Sequence, residues 1–171
     1  MAKVNGLAAG LLTRLKEQYG DSILLVENQP MVYIAADKLT DLLGFVKTDG
    51  SYGMDWLSNL TAVDYPAYVE VVYHVNSRTL YHNLTVKVRL EKSGEVLPSV
   101  ASIVSLWPGA DWQEREVYDL MGVTFTGHPN LTRILLPEDF EGHPLQKNYK
   151  LPSRQENVSR GEERGSKVRV C

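Results

Sequence analysis

Between Val69 and Glu91 the chain alternates. Val69, Val71, Tyr73 and Val75 form one apolar set and Leu84, Val86, Val88 and Leu90 another, the latter interleaved with Thr85, Lys87, Arg89 and Glu91. Successive side chains of an extended strand point to opposite faces, so each run predicts a strand with one buried face. The link through Asn76-Ser77-Arg78 predicts that the two form an antiparallel hairpin.

Weaker signals surround this hairpin. A helix is expected from about Leu7 to Tyr19, stopping at Gly20, a residue suited to a left-handed C-terminal position. Ser22 to Val26 and Met31 to Ala35 read as short strands around a turn at Glu27-Asn28-Gln29-Pro30. Asp37 is placed to cap a short helix, Lys38 to Gly44, with Leu39, Leu42 and Leu43 facing inward. Gly50 to Tyr65 reads as irregular, anchored by Trp56, Leu57 and Leu60, and Lys92-Ser93-Gly94-Glu95 as a turn. Pro98 to Leu106 fits helix or strand. Asp111 followed by Glu114 has capping-box spacing, predicting a helix from Trp112 to Met121 that ends at Gly122. Mixed in this way, the elements indicate an α+β two-layer domain over residues 1–122, with a mixed or antiparallel sheet and helices on one side.

After Gly122 the pattern changes. Pro129, Pro137, Pro144 and Pro152 recur at near-constant spacing, and each removes a backbone donor, which excludes a long helix or a central strand. Yet Leu131, Ile134, Leu135, Leu136, Phe140, Leu145 and Tyr149 are too apolar for a solvated tail. Residues 123–150 are therefore expected to form an extended strap lying against something. Residues 151–171 lose the apolar side chains and read as a mobile tail.

Composition limits the function. A net charge of -3 gives no electrostatic case for nucleic acid. The one cysteine, Cys171, permits no disulfide or thiolate zinc cluster within the chain. No apolar run approaches the roughly 18 residues that cross a bilayer. Leu7, Leu11 and Leu15 recur at helical spacing with Arg14 and Lys16 behind them, which reads as an ordinary amphipathic helix rather than a signal peptide.

Two features invite a catalytic reading. Gly-His-Pro occurs twice, at 127–129 and 142–144, with Glu138, Asp139 and Glu141 between, so His128 and His143 could be half of a metal site. Catalytic zinc usually takes three protein ligands, often two from one helix, and no HExxH occurs; His74 and His82 fall in the hairpin. The alternative is that each is a turn whose histidine bonds to a carbonyl or carboxylate, and this is the reading adopted. Glu114, Glu116 and Asp119 could be an acid–base cluster. However, Glu114 and Asp119 fall on different helix faces, Arg115 precedes Asp119 by four, and Arg133 and Lys147 follow, which favours an ion-pair network fixing helix to strap. Neither GxSxG, GxGxxG nor GxxxxGK[ST] is present. Trp107 and Trp112, beside Pro108, read as packing anchors. The residues indicate no catalytic, cofactor-binding or metal-binding position.

Residues 114 to 149, EREVYDLMGVTFTGHPNLTRILLPEDFEGHPLQKNY, resemble the signature of the 30 kDa subunit family of respiratory complex I, the proton-pumping NADH:quinone oxidoreductase. The matching positions are Glu114-Arg115-Glu116, Asp119, Gly122, Gly127-His128-Pro129, Arg133 with Ile134 and Leu135, Pro137-Glu138-Asp139, Glu141-Gly142-His143-Pro144-Leu145, Lys147 and Tyr149. Upstream, LSNLTAVDYP and PSVASIVSLWPGADW are similar too. Thr132, Gln146 and Asn148 stand where the family usually has a basic residue, Arg and Asp. The resemblance implies a hydrophilic peripheral-arm subunit without a catalytic site, on the cytoplasmic side of the cell membrane and attached to it only through the complex. Its implied partners are the large 49 kDa-type subunit and other peripheral-arm subunits. NADH, FMN, iron–sulfur clusters and quinone are implied in the complex, none of them bound by this chain. Leu135, Leu136, Phe140, Leu145 and Tyr149 are the expected docking anchors. Homologous subunits of ferredoxin- or other-donor dehydrogenases and of membrane-bound hydrogenases share the motif, and a free-standing metal-dependent enzyme is the remaining alternative.

Overall fold

The hairpin is the centre of the molecule. In a computed structural model, which describes residues 9–26, 29–94 and 96–150, strands β4 (Tyr68–Ser77) and β5 (His82–Glu91) pair antiparallel along their whole length. The turn is Arg78 to Tyr81, slightly later than the Asn76-Ser77-Arg78 link expected, because both strands extend further. Around them β1 (Ile23–Leu25), β2 (Met31–Ile34) and β3 (Trp56–Asp64) complete a five-stranded sheet of order β1-β2-β5-β4-β3. Only β2 and β5 run parallel, so the sheet is mixed.

One face meets the helices α1 (Ala9–Tyr19), α2 (Leu39–Thr48) and α3 (Ala110–Met121). The two alternating sets enter one core with Leu15 of α1, Leu39, Leu42, Leu43 and Val46 of α2, and Val117 and Met121 of α3. Each such side chain removed from water contributes about 1.5–3 kcal/mol, so this face dominates the stability. The other face shields itself with charge. Glu70, almost fully buried, accepts from Lys87 Nζ at 2.7 Å and Arg89 Nε at 3.3 Å, while the Arg89 guanidinium lies 4.5 Å from the Tyr33 ring centre.

Several expectations need correction. Residues 50–65 are not irregular throughout, because β3 runs from Trp56 to Asp64. Its register with β4 shifts between Leu57 and Asn59, so buried Leu57 and Leu60 lie three apart and period two is lost in the sequence. Asp37 does not cap α2. It sits in a 3-10 turn, Ala36–Lys38, and α2 continues four residues past Gly44 to Thr48, carrying Val46 into the core. The capping box at Asp111 and Glu114 is also absent. Helix α3 starts at Ala110 behind Gly109, with no side-chain cap, and Glu114 instead accepts a backbone N–H from Ile103 at 2.7 Å.

Residues 99–101 form strand β6 (Ser99–Ala101), parallel to β7 (Thr124–Thr126), so the first residues of the expected strap are a strand. They precede Pro129, so no proline interrupts their pairing. The helix start at Leu7, the Glu27-Asn28 turn, Glu95 and the tail 151–171 lie outside the described residues.

Candidate partner-docking site

Helix α3 ends where its last carbonyls have no partner inside the helix, as every helix does. Gly122 takes the left-handed conformation there (φ 71°) and turns the chain away into β7. The strap then returns and meets those carbonyls. His143 Nδ1 donates to Asp119 O at 2.9 Å, Leu145 N to Leu120 O at 3.0 Å, and Gln146 Nε2 to Met121 O at 2.9 Å. Arg133 Nη1 donates to Asp119 O as well, at 3.1 Å, and places a cation at the negative end of the helix dipole.

Asp119 is the centre of this clasp. Its side chain is fully buried. Oδ2 accepts three consecutive backbone N–H groups, from Ile134 (3.1 Å), Leu135 (2.8 Å) and Leu136 (2.9 Å), and Oδ1 accepts Arg133 Nη1 at 2.6 Å. Burial alone would raise the carboxyl pKa. The Leu136 N–H, the Arg133 guanidinium and the Leu135 and Ile134 N–H groups outweigh it and hold the pKa below its ordinary 3.8. The other guanidinium nitrogen of Arg133 donates to Phe140 O and Gly142 O, both at 3.0 Å. One aspartate and one arginine therefore hold the strap from Ile134 to Gly142.

This arrangement corrects the expected Arg115–Asp119 pair. Arg115 reaches the strap backbone instead, donating to Thr132 O, Thr132 Oγ1 and Arg133 O at 3.1 Å each. Thr132 and Gln146, two of the three unusual positions in the signature, both make hydrogen bonds between helix and strap. Asp64 at the end of β3 adds a further tie, accepting Lys147 N at 2.9 Å.

The two histidines sit apart. His128 accepts from Asn130 N at Nδ1 (3.0 Å), so its Nε2–H donates to Asp111 O (3.3 Å). His143 bonds to Asp119, eight residues further along α3, which is roughly 12 Å of helix. Each follows a glycine of φ 80°, and each fixes a turn against a helix carbonyl. Among the described residues no three His, Cys, Asp or Glu side chains are grouped to hold a metal ion. The structure does not bring His128 and His143 into one site.

Glu114 has a separate environment. It is fully buried, and Oε2 has no hydrogen-bond partner. Burial raises its pKa from 4.5 to about 7, against the Ile103 N–H and the Ser102 hydroxyl and with help from Asp111. The Tyr73 phenol is pushed well above its ordinary range by burial and by Glu114.

With its polar groups engaged on α3, the strap turns Leu135 (61% exposed) and Leu145 (57%) outward. Leu136, Phe140 and Tyr149 are half-buried, the two rings stacked with centres 6.1 Å apart. Pro129, Pro137, Glu138, Asp139 and Lys147 lie on exposed turns, Lys147 Nζ being 5.8 Å from the Tyr65 ring centre, and Pro144 is half-buried. Trp107 is buried as expected, but Trp112 is not a packing anchor: it is 69% exposed on α3, beside Leu135. Sequence reasoning missed Asp64.

Gly122 has a second constraint. A Cβ there would lie 2.6 Å from His143 Cδ2 and 2.8 Å from Gln146 Nε2. Gly122→Ala is expected to cost about 1–2 kcal/mol for the left-handed backbone and, in addition, to push the strap off α3. A lowered thermal midpoint together with faster proteolysis between residues 127 and 150 would show both effects. An unchanged proteolysis pattern would show that the strap absorbs the methyl group.

The features define a class: an α+β domain whose C-terminal strap is clasped on one helix and turns leucines outward. The chain belongs to the family described as respiratory-chain NADH dehydrogenase, 30 Kd subunit, whose model matches residues 32–155. It is 41% identical over 150 residues to the NADH-quinone oxidoreductase C-subunit of Roseiflexus sp. (strain RS-1), covering 84% of each chain. To the protein of that name from Moorella thermoacetica it is 46% identical over 124 residues, covering 71% of this chain and 80% of the relative. Its fold is shared with a chain of the membrane-bound sulfane sulfur reductase, an archaeal respiratory membrane complex, with TM-score 0.69, 21% identity and coverage of 95% and 93%. No described helix is long and apolar enough to cross a membrane.

Proposed function

We propose that this chain is a non-catalytic subunit of the peripheral arm of a proton-translocating NADH:quinone oxidoreductase. The strap is its docking element for the large 49 kDa-type subunit and neighbouring cluster-bearing subunits. The observation that carries this reading is the division of labour in residues 127–149. Polar groups of the strap are spent on α3, through Asp119, Arg133, His143 and Gln146, while Leu135 and Leu145 are left exposed. A surface held rigid before binding loses less entropy on association. The relatives' shared name supplies the complex. NADH, FMN, iron–sulfur clusters and quinone are assigned to other subunits, and the chain attaches to the cytoplasmic side of the membrane through them.

The test is affinity purification of the tagged chain from detergent-solubilised membranes, with partner identification and an NADH:quinone assay. Co-purification of the large subunit and cluster proteins with activity is the expected result, and Leu145→Asp should reduce it about tenfold or more by burying an unpaired charge. Recovery of the chain alone would overturn the proposal.

A further inference from the structure

The three tryptophans are treated differently by the fold. The ring of Trp107 has the Lys47 ammonium 5.5 Å from its centre. Exposed Trp56 carries the Arg78 guanidinium at 5.3 Å, and that guanidinium donates in turn to Asp55 Oδ2 at 2.9 Å. Trp112, more exposed than either, carries no cation among the described residues.

The rest of that triad is nevertheless present around it. Glu116 stands four residues on, on the same face of α3, and makes no ion pair among the described residues. Trp112, Gln113, Glu116, Ile134 and Leu135 line one open cleft of about 170 Å³, of a size for one side chain. Its walls are fixed. Gln113 Oε1 accepts the Leu60 N–H of β3, and the Ile134 and Leu135 backbones are held by Asp119.

We propose that this cleft receives an arginine side chain of a protein partner. Its methylenes would lie along Ile134 and Leu135, its guanidinium on the Trp112 indole, and its N–H groups on the Glu116 carboxylate. Arginine suits the site better than lysine because its plane stacks on an indole while its edge donates to a carboxylate in fork geometry. Trp56–Arg78–Asp55 is the same combination built within this chain.

The inference rests on the docking reading, and the experiment separates the two. Assembled complex is purified through tagged full-length chain carrying Trp112→Ala, Glu116→Gln or Leu145→Asp, and wild-type complex is challenged with Nα-acetylarginine amide or Nα-acetyllysine amide at equal ionic strength. Trp112→Ala and Glu116→Gln should each lower partner recovery about tenfold, with thermal midpoints unchanged because both side chains are exposed. The arginine amide should release partners at lower concentration than the lysine amide. Full recovery with both cleft variants, while Leu145→Asp loses partners, would overturn the arginine site and leave the docking reading standing. Full recovery with all three would overturn both, and equal potency of the two amides would overturn the assignment to arginine.

Discussion

Asp119→Asn should detach the strap while leaving the domain folded. The asparagine oxygen can accept one or two of the N–H groups of Ile134, Leu135 and Leu136, but its amide nitrogen then opposes Arg133, a second donor. Removing one partner of a buried ion pair costs about 3–5 kcal/mol when the other stays buried. That is comparable to much of the 5–15 kcal/mol stability of a typical domain. The outcome turns on which response is less costly. Arg133 is already partly exposed (15%), so release of residues 131–149 lets it hydrate and limits the loss to the strap's own contacts. The hairpin core shares none of these bonds. Proteolysis within 130–149 should accelerate by at least an order of magnitude, about the effect of 1.4 kcal/mol, with the sheet's circular dichroism retained. A global loss of structure would contradict this division between clasp and core.

Acid should act on the same clasp. A carboxylate whose folded pKa is depressed contributes stability that is present above its unfolded value, here 3.8, and lost as pH falls through the folded value. Strap release at low pH should precede loss of the sheet, and Asp119→Asn should remove that acid-sensitive step.

Glu114→Gln should have the opposite pH signature. The folded pKa of Glu114 is raised from 4.5 to about 7 by burial. Stability from this group is complete below pH 4.5 and is lost as pH rises through 7, because the folded protein holds a proton that the unfolded chain releases. The difference corresponds to about 3 kcal/mol across that window. Gln keeps the oxygen that accepts from Ile103 N and cannot ionise. The variant should therefore match wild type at pH 4 and melt higher at pH 8, by about 2–4 °C for each kcal/mol recovered. His128 Nε2 lies 3.9 Å from Glu114 Oε2 and 3.5 Å from Asp111 Oδ1. If contact with this ring instead favoured the ionised carboxylate, the variant would be the less stable form at pH 8, and that result would reject the account.

These cases also show what the sequence could and could not disclose. The hairpin was legible because the core-facing sets Val69 to Val75 and Leu84 to Leu90 keep period two with no shift of register, and the strap because proline spacing and apolar content conflict with every regular element. Strand β3 was not legible, since the bulge at Ser58 spaces its buried residues by three. Asp111 and Glu114 have capping-box spacing, yet the cap is not made: burial of Glu114 beside Ile103 outweighs a local preference worth about 1 kcal/mol. Arg115 is four residues from Asp119, which made them a natural pair, but only the tertiary return of the strap brings Arg133 to that carboxylate. Trp112 shares a helix with buried Val117, and residue type alone does not tell which side of α3 meets solvent.

The central claim is that the strap is already clasped on α3 in the chain by itself and docks as a preformed surface. Amide hydrogen exchange of Ile134, Leu135, Leu136 and Leu145 in the purified full-length chain tests it directly. The account predicts protection of all four, lost at all four in Asp119→Asn because the whole strap is released. Exchange at the rate of free peptide in the wild-type chain would mean that the strap takes its shape only on its partner, and would contradict it.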